Sequence, residues 1–384
     1  MAVSATPTYE VPKLSLSERD QRWQRIRARM EADGLDCLVA YAASGGTGVQ
    51  YLTQIDIEGL AIFPLDQKVT ALTPERWRHW AQRSQDWVQR VLPADGYAGT
   101  LRAALSEVRA QRIGLVDVRA AGATRHQELL SALSVYQHQD ATAPIDDLRL
   151  VKSSEEIAMM ERAAEIADRA ISRLLEEAKV GVPENELHAD LIHALLAGGC
   201  EPVSVISCEA SSRPFHPVRR PSEHVLSQGD LVVAHMNARY AGYFAQPHVC
   251  VTVGPPSREV SDMFQACHEA FETFREHARP GANLGDVCRK SLAVVEKAGY
   301  EWVKEPLTHS IGLSQQEKPV GGSLPEPYPD YELQQGNVFV VHPWVGHMAD
   351  ELGIDSGGNV LVTKAGGKLM GRRPSVELFT ATGG

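Results

Sequence analysis

Along SLSERDQRWQRIRARMEADG, Trp23, Ile26 and Met30 fall on one helical stripe opened by Ser15 and stopped by Gly34, which predicts an amphipathic helix. DCLVAYA reads next as a short buried strand. A glycine-rich loop (SGGTG), a helical turn at VQYLT and strands at GLAIFPL and KVTALT follow. Helical patterns at ERWRHWAQRSQDWVQRVL, TLRAALSEVRAQ and TRHQELLSALSVY alternate with the strand RIGLVDV. Such alternation predicts an α/β domain over residues 15–147, preceded by a flexible arm over residues 1–14.

Between Asp146 and Lys152 the pattern changes. Ser153, Ser154, Glu155 and Glu156 form a capping pattern ahead of a long amphipathic helix, so a second domain is expected over residues 148–384. Further helices are expected at ENELHADLIHALLAGG, SREVSDMFQACHEAFETFREHA and LGDVCRKSLAVVEKAG. Strands are expected at PVSVISCE, DLVVAHMNARY, PHVCVTVG, NVFVVHPW and GNVLVTKAG. Strands separated by helix pairs, with hairpin text at YAGY, predict an α+β domain on a mainly antiparallel sheet.

Composition contributes exclusions. Of 384 residues, 43% are hydrophobic and 23% charged, the balance of an ordinary globular chain. A net charge of −11 argues against nucleic acid, whose binding rests on Lys and Arg neutralising phosphates. Cys37, Cys200, Cys208, Cys250, Cys267 and Cys288 show no paired spacing and read as reduced core residues. The first residues lack a basic region followed by an apolar stretch, and no apolar run reaches ~18 residues. A cytoplasmic protein without membrane contact is expected.

The anchors RLVKSSEEI, GDLVV at Gly229, ARYAGY at Ala238, PGxxxxD-like text from Pro280 to Asp286, THSIGL at Thr308, GNVFVVHP at Gly336 and GNVLVTKAG at Gly358 come in a telling order and spacing. Over about residues 146–370 they resemble the pita-bread domain shared by creatinase, prolidase, aminopeptidase P and methionine aminopeptidase. GLDCLVAY and VQYLT resemble the amino-terminal α/β domain of the creatinase and prolidase branch. In the peptidase members two metals sit on two Asp, one His and two Glu. The resemblance places His235 and Gln246 at the two Asp positions, keeps His309, and puts His342 and Gly357 at the two Glu positions. Gln316 stands at the downstream histidine of HExP, with Glu317 retained. Two close dications need several carboxylates to balance them, so a two-metal water-activating centre, and with it peptide hydrolysis, is expected to be absent.

By resemblance to the creatinase branch, His216 in RPFHPVRRPS is then a metal-free acid/base, and His309 a second catalytic residue. His235, Gln246, His342, Glu317 and His248 are expected to bind substrate. An alternative places one Zn or Fe ion on His235, His309 and His342, with Gln246, His248 or Asp355 assisting. Plainer readings stand beside these. A loop histidine before proline is often a surface residue, a lone Glu317 often faces solvent, His248 and His347 are ordinarily satisfied imidazoles, and Trp344 is ordinarily core. Arg219 and Arg220 could take a carboxylate, but adjacent arginines usually face different ways, and the loop at Ser44 lacks phosphate-binding spacing.

The expected function is a creatinase-like hydrolase that cleaves a C–N bond of a small non-peptide amide, ureido or cyclic amidine compound without a cofactor. The resemblance further implies a homodimer in which the partner's amino-terminal domain closes the pocket. A one-metal hydrolase or lyase on three histidines, and a non-catalytic binding protein on the same scaffold, are the alternatives.

Overall fold

The computed structural model describes residues 12–43, 46–94, 96–201, 207–214, 221–302, 306–321, 329–347, 349 and 351–381. The chain divides into two compact units, Met1–Arg149 and Leu150–Gly384.

In the first unit α1 (Leu16–Ala32) starts on Ser15, whose hydroxyl accepts the Glu18 N–H at 3.1 Å, and stops ahead of Gly34 at φ +68°. Its buried stripe runs through Glu18, Arg22, Ile26 and Met30, while Trp23 is only half-buried. The Arg22 guanidinium donates to Glu18 at 2.9 Å and lies 4.3 Å from the Tyr51 ring centre, so a paired charge occupies a position that hydrophobic pattern alone skips. There follow β1 (Cys37–Ala42), α2 (Thr47–Thr53), β2 (Gly59–Pro64), β3 (Thr70–Thr73), α3 (Glu75–Arg83), β4 (Arg90–Pro93), α4 (Tyr97–Glu107), β5 (Arg112–Val116), α5 (Ala123–Leu133), β6 (Gln137–Asp140) and α6 (Thr142–Arg149). The strands form one mixed sheet in the order β4-β3-β2-β1-β5-β6. Val39, Tyr41, Leu60 and Ile62 pack there with Tyr97, Leu101 and Leu105 of α4 and Leu129 and Leu133 of α5.

Two expectations are corrected here. The arm was expected to run to residue 14, yet Leu14 is buried, its carbonyl accepts the Trp87 indole N–H at 3.2 Å, and its N–H donates to Gln54 at 2.6 Å. The helix expected from Glu75 to Leu92 ends at Arg83. There the Gln85 side chain ties Ala81 O to Val88 O, the chain turns, and Val91 enters the sheet beside β3. Trp87, Val88 and Val91 are spaced as on a helix, but Trp87 is buried beside α1, edge-on to Trp23 at 6.5 Å, while Val91 lies in β4.

The second unit opens on α7 (Ser154–Glu177), with Ser153 and Glu156 completing a capping box, and continues through α8 (Glu184–Ala197). The strands are β7 (Ser207–Ser211), β8 (Leu231–His235), β9 (Ala238–Tyr240), β10 (Tyr243–Ala245) and β11 (His248–Thr252), then, after α9 (Arg258–His277) and α10 (Leu284–Lys297), β12 (Glu301–Trp302), β13 (Thr308–Ser310), β14 (Glu317–Gly321), β15 (Val338–Val341), β16 (Trp344–His347), β17 (Leu352–Asp355), β18 (Gly358–Thr363), β19 (Gly366–Leu369) and β20 (Leu378–Thr380). They form the sheets β20-β11-β8-β7, β12-β16-β17 and β14-β13-β15-β18-β19 and the hairpin β10-β9. Pairing is antiparallel except between β11 and β20.

The two helix pairs are built alike. After α7, Gly181 (φ +92°) donates to Leu226 O; after α9, Gly281 (φ +86°) donates to Leu333 O, each at 2.8 Å. Asp230 then accepts the Ser227 N–H at 2.8 Å ahead of β8, and Asn337 accepts the Gln334 N–H at 2.7 Å ahead of β15. β8 ends on His235 and β15 is followed at once by His342, so corresponding places in two related halves each deliver a histidine. Among the described residues, no helix is long and apolar enough to cross a membrane.

Candidate active site

Strand pairing in the second unit assembles a stack of imidazoles. His235 and His248 are cross-strand partners on β8 and β11, with ring centres 3.9 Å apart. His342 lies nearly parallel to His248 at 4.7 Å, and His309, on β13, meets His342 edge-on at 5.4 Å. His248, His309 and His342 are buried, and His235, intermediate in exposure, has its Nε2 buried. At the end of β17, buried Asp355 holds His248 Nδ1 through Oδ2 at 2.6 Å.

Burial, the largest influence at each ring, sets the protonation states. Desolvation drives His248 down to about 3 and His309 down to about 4, and holds His235 and His342 well below the ordinary histidine value. It also pushes the Asp355 carboxyl well above its usual range. The imidazoles are therefore neutral near pH 7, the form that offers a lone pair. His309 Nδ1 lies 3.0 Å from the Ser310 carbonyl, which can only accept, so its proton is on Nδ1 and Nε2 carries the lone pair.

The Nε2 atoms of His235, His248 and His342, Gln246 Oε1 and Asp355 Oδ1 are buried with no hydrogen-bond partner. Leaving one such group unpaired costs about 1–3 kcal/mol, so their gathering in one place marks a site made for a polar guest. Among the described residues, His248, His342 and Asp355 carry donor atoms all within 4.8 Å of one another. A tetrahedral ion with bonds of about 2.0–2.1 Å places its ligands about 3.3 Å apart, so this set could hold a metal once its donors draw together by up to about 1.5 Å.

Of the substrate residues expected from sequence, His235, His248 and His342 join this cluster with His309. The Gln246 amide is fixed by its Nε2 donating to Asn237 at 2.9 Å, which leaves Oε1 as the free acceptor. Glu317 stands in a different setting: Lys152 Nζ pairs with it at 3.3 Å, and its Oε1 accepts the Ser314 N–H at 3.2 Å. Its negative charge is thus already balanced. His347 packs on Tyr300 at 5.0 Å, and Trp344 is buried on β16. His216, Arg219, Arg220 and Ser44 lie outside the described residues. At Gly357, the last of the expected ligand positions, a Cβ would stand 1.9 Å from Val341 O. That position is closed to any side chain. Sequence reasoning left Asp355 only an assisting part and did not see Lys152; both pairings join strands or segments distant in the chain, and no local spacing announces them.

Residues 158–364 match metallopeptidase family M24, and residues 22–151 match the creatinase/prolidase N-terminal domain. The chain belongs to metallopeptidase family M24. The Xaa-Pro dipeptidase of Pyrococcus horikoshii is 27% identical over 244 residues, 63% of this chain and 68% of that one. The Xaa-Pro dipeptidase of Pyrococcus furiosus is 28% identical over 226 residues, 58% of this chain and 64% of that one. The solved structure of an Xaa-Pro dipeptidase from Bacillus anthracis superposes with a TM-score of 0.83 at 21% identity, covering 94% of this chain and 99% of its own. At that identity the likeness is one of fold: a creatinase-type amino-terminal domain and a pita-bread carboxy-terminal domain.

These relatives overturn two expectations. The M24 similarities are to proteins named for peptide hydrolysis, so the expected non-peptide C–N hydrolase, and the exclusion of peptidase chemistry with it, are withdrawn. The argument from lost carboxylates counted only the family's ligand positions, whereas pairing of β8 with β11 and the place of β17 bring His248 and Asp355 to the same spot. A cofactor-free pocket has no support either, since the family is one of metallopeptidases and a His/His/Asp donor group is present.

Proposed function

We propose that this M24 protein is a metal-dependent peptidase of short peptides, with Xaa-Pro dipeptides as its first candidate substrates. The observation that carries the reading is the buried set of neutral imidazoles and one carboxylate with unpaired donor atoms. The names of the relatives support the substrate class. His248, His342 and Asp355 are the residues that would hold a metal, which when bound supplies Lewis-acid polarisation and a water acidic enough to attack near neutral pH. Gln246 Oε1 accepts an N–H of the bound peptide. His309, neutral with its lone pair on Nε2, takes up a proton at that atom. The same proposal includes a homodimer, which light scattering on the purified protein checks.

Purified protein supplied with Zn²⁺, Co²⁺ or Mn²⁺ should release free proline from Xaa-Pro dipeptides, faster than it cleaves Ala-Ala, and should stop on addition of a chelator. Absence of turnover on every dipeptide with every ion would remove the peptidase reading.

A further inference from the structure

We infer that the Trp77/Trp80 face of α3 docks on the outer face of α8 in a second copy of this chain. The inference rests on the homodimer proposed above and not on the choice of substrate or metal.

α3 lies beside β4, the edge strand of the first sheet, and Ala81 is its one buried residue. Trp77 and Trp80, one helical turn apart, are 43% and 41% exposed. Indole rings are mostly buried in folded chains, so two of them presented together on one helix mark a surface made for a partner. Their neighbours are cationic. Arg76 lies over the Trp77 ring at 5.9 Å, and Arg76 and Arg83 have no carboxylate partner among the described residues, whereas Arg78 pairs with Glu75 at 2.9 Å. Tryptophan and arginine are the residues that most often carry the energy of a protein interface.

The second unit offers the complement. Its exposed large apolar residues, among the described residues, all gather at α8: Ile192 and Leu196 one turn apart on the helix, Val180 shortly before it, and Val225 bridged to Pro183 at its start. Glu186 on α8 and nearby Glu223 are exposed and have no ion-pair partner among the described residues. Charge points the same way: residues Met1–Arg149 hold 17 basic against 18 acidic side chains, and Leu150–Gly384 hold 21 against 31, so nearly all of the net −11 belongs to the second unit. Two α3 faces would repel each other, while an α3 face and an α8 face attract. Side chains spaced i, i+3 on one helix and i, i+4 on the other also interdigitate as packed helices do. In a two-fold dimer the contact is made twice, α3 of each copy on α8 of the other.

Sedimentation velocity on the full-length protein should show a dimer. Trp77→Ser with Trp80→Ser, and separately Ile192→Ser with Leu196→Ser, should each weaken it at least about 30-fold while circular dichroism stays native, because all four side chains are exposed within one copy. A photoreactive benzophenone amino acid in place of Trp80, in a mixture of plain and isotope-labelled chains, should join two copies at α8, Val180 or Val225. A monomeric parent protein, a dimer that either double variant leaves intact, or a cross-link to the first unit of the other copy would each overturn the inference. A monomer that hydrolyses Xaa-Pro dipeptides removes this dimer and leaves the peptidase reading; a dimer joined through α3 and α8 without dipeptide turnover does the reverse.

Discussion

Gly357→Glu is expected to unfold the carboxy-terminal unit and to return no metal ligand. Even Gly357→Ala should cost more than about 3 kcal/mol, above the ordinary range for overpacking, because its Cβ would lie 1.9 Å from Val341 O and 2.8 Å from His342 Cα. Both of these are backbone atoms, so no rotamer change relieves the clash. Nor is the strand free to swing away: Gly357 N–H donates to His248 O at 2.9 Å, and His248 N–H donates to Gly357 O at 3.1 Å. Domains are stable by about 5–15 kcal/mol, so the loss is a large share of the total. Urea denaturation of Gly357→Ala against the parent protein measures it. A difference under about 1 kcal/mol would show that this backbone can open to admit a side chain.

The residue identities alone already place His235, His309 and His342 in one pocket, since the order of the anchors sets the register of the strands that bear them. They do not disclose what completes the pocket. His248 is expected from sequence among the substrate residues, but its pairing with Asp355 of β17 is a contact between residues 107 apart that no local spacing announces. Helical periodicity finds Ile26 and Met30 on α1 but passes over Arg22, because the pairing that lets an arginine be buried lies with Glu18 and Tyr51. At Trp87, Val88 and Val91 the apolar spacing imitates a helix, and long-range contacts decide otherwise: Trp87 meets Trp23 of α1, and Val91 pairs with Ala71 of β3. Gly357 looks like a lost acid in the sequence. In the fold it is a place where two backbones touch.

Lys152→Ala is expected to cost about 3–5 kcal/mol, the loss typical when one partner of an enclosed ion pair is removed. The side chains of Lys152 and Glu317 are 2% and 8% exposed, with Nζ 3.3 Å from Oε2. Little water is available to replace the ammonium, so the carboxylate would keep its charge in a poorly solvating setting or take up a proton. Glu317→Gln in the Lys152→Ala background removes that stranded charge and should recover about 2 kcal/mol or more, which makes the two substitutions strongly non-additive in a double-mutant cycle. Chemical denaturation of the four proteins measures the coupling. Additive losses would mean that the pair contributes nothing as a pair. The outcome also bears on the site, because the Glu317 charge raises the proton affinity of His309 against the stronger lowering by burial. With Lys152 in place that carboxylate is balanced by an ammonium 3.3 Å away. Without Lys152 it would act on His309 uncompensated, so the basicity of His309 should rise in Lys152→Ala and return toward the parent value when Glu317→Gln is added.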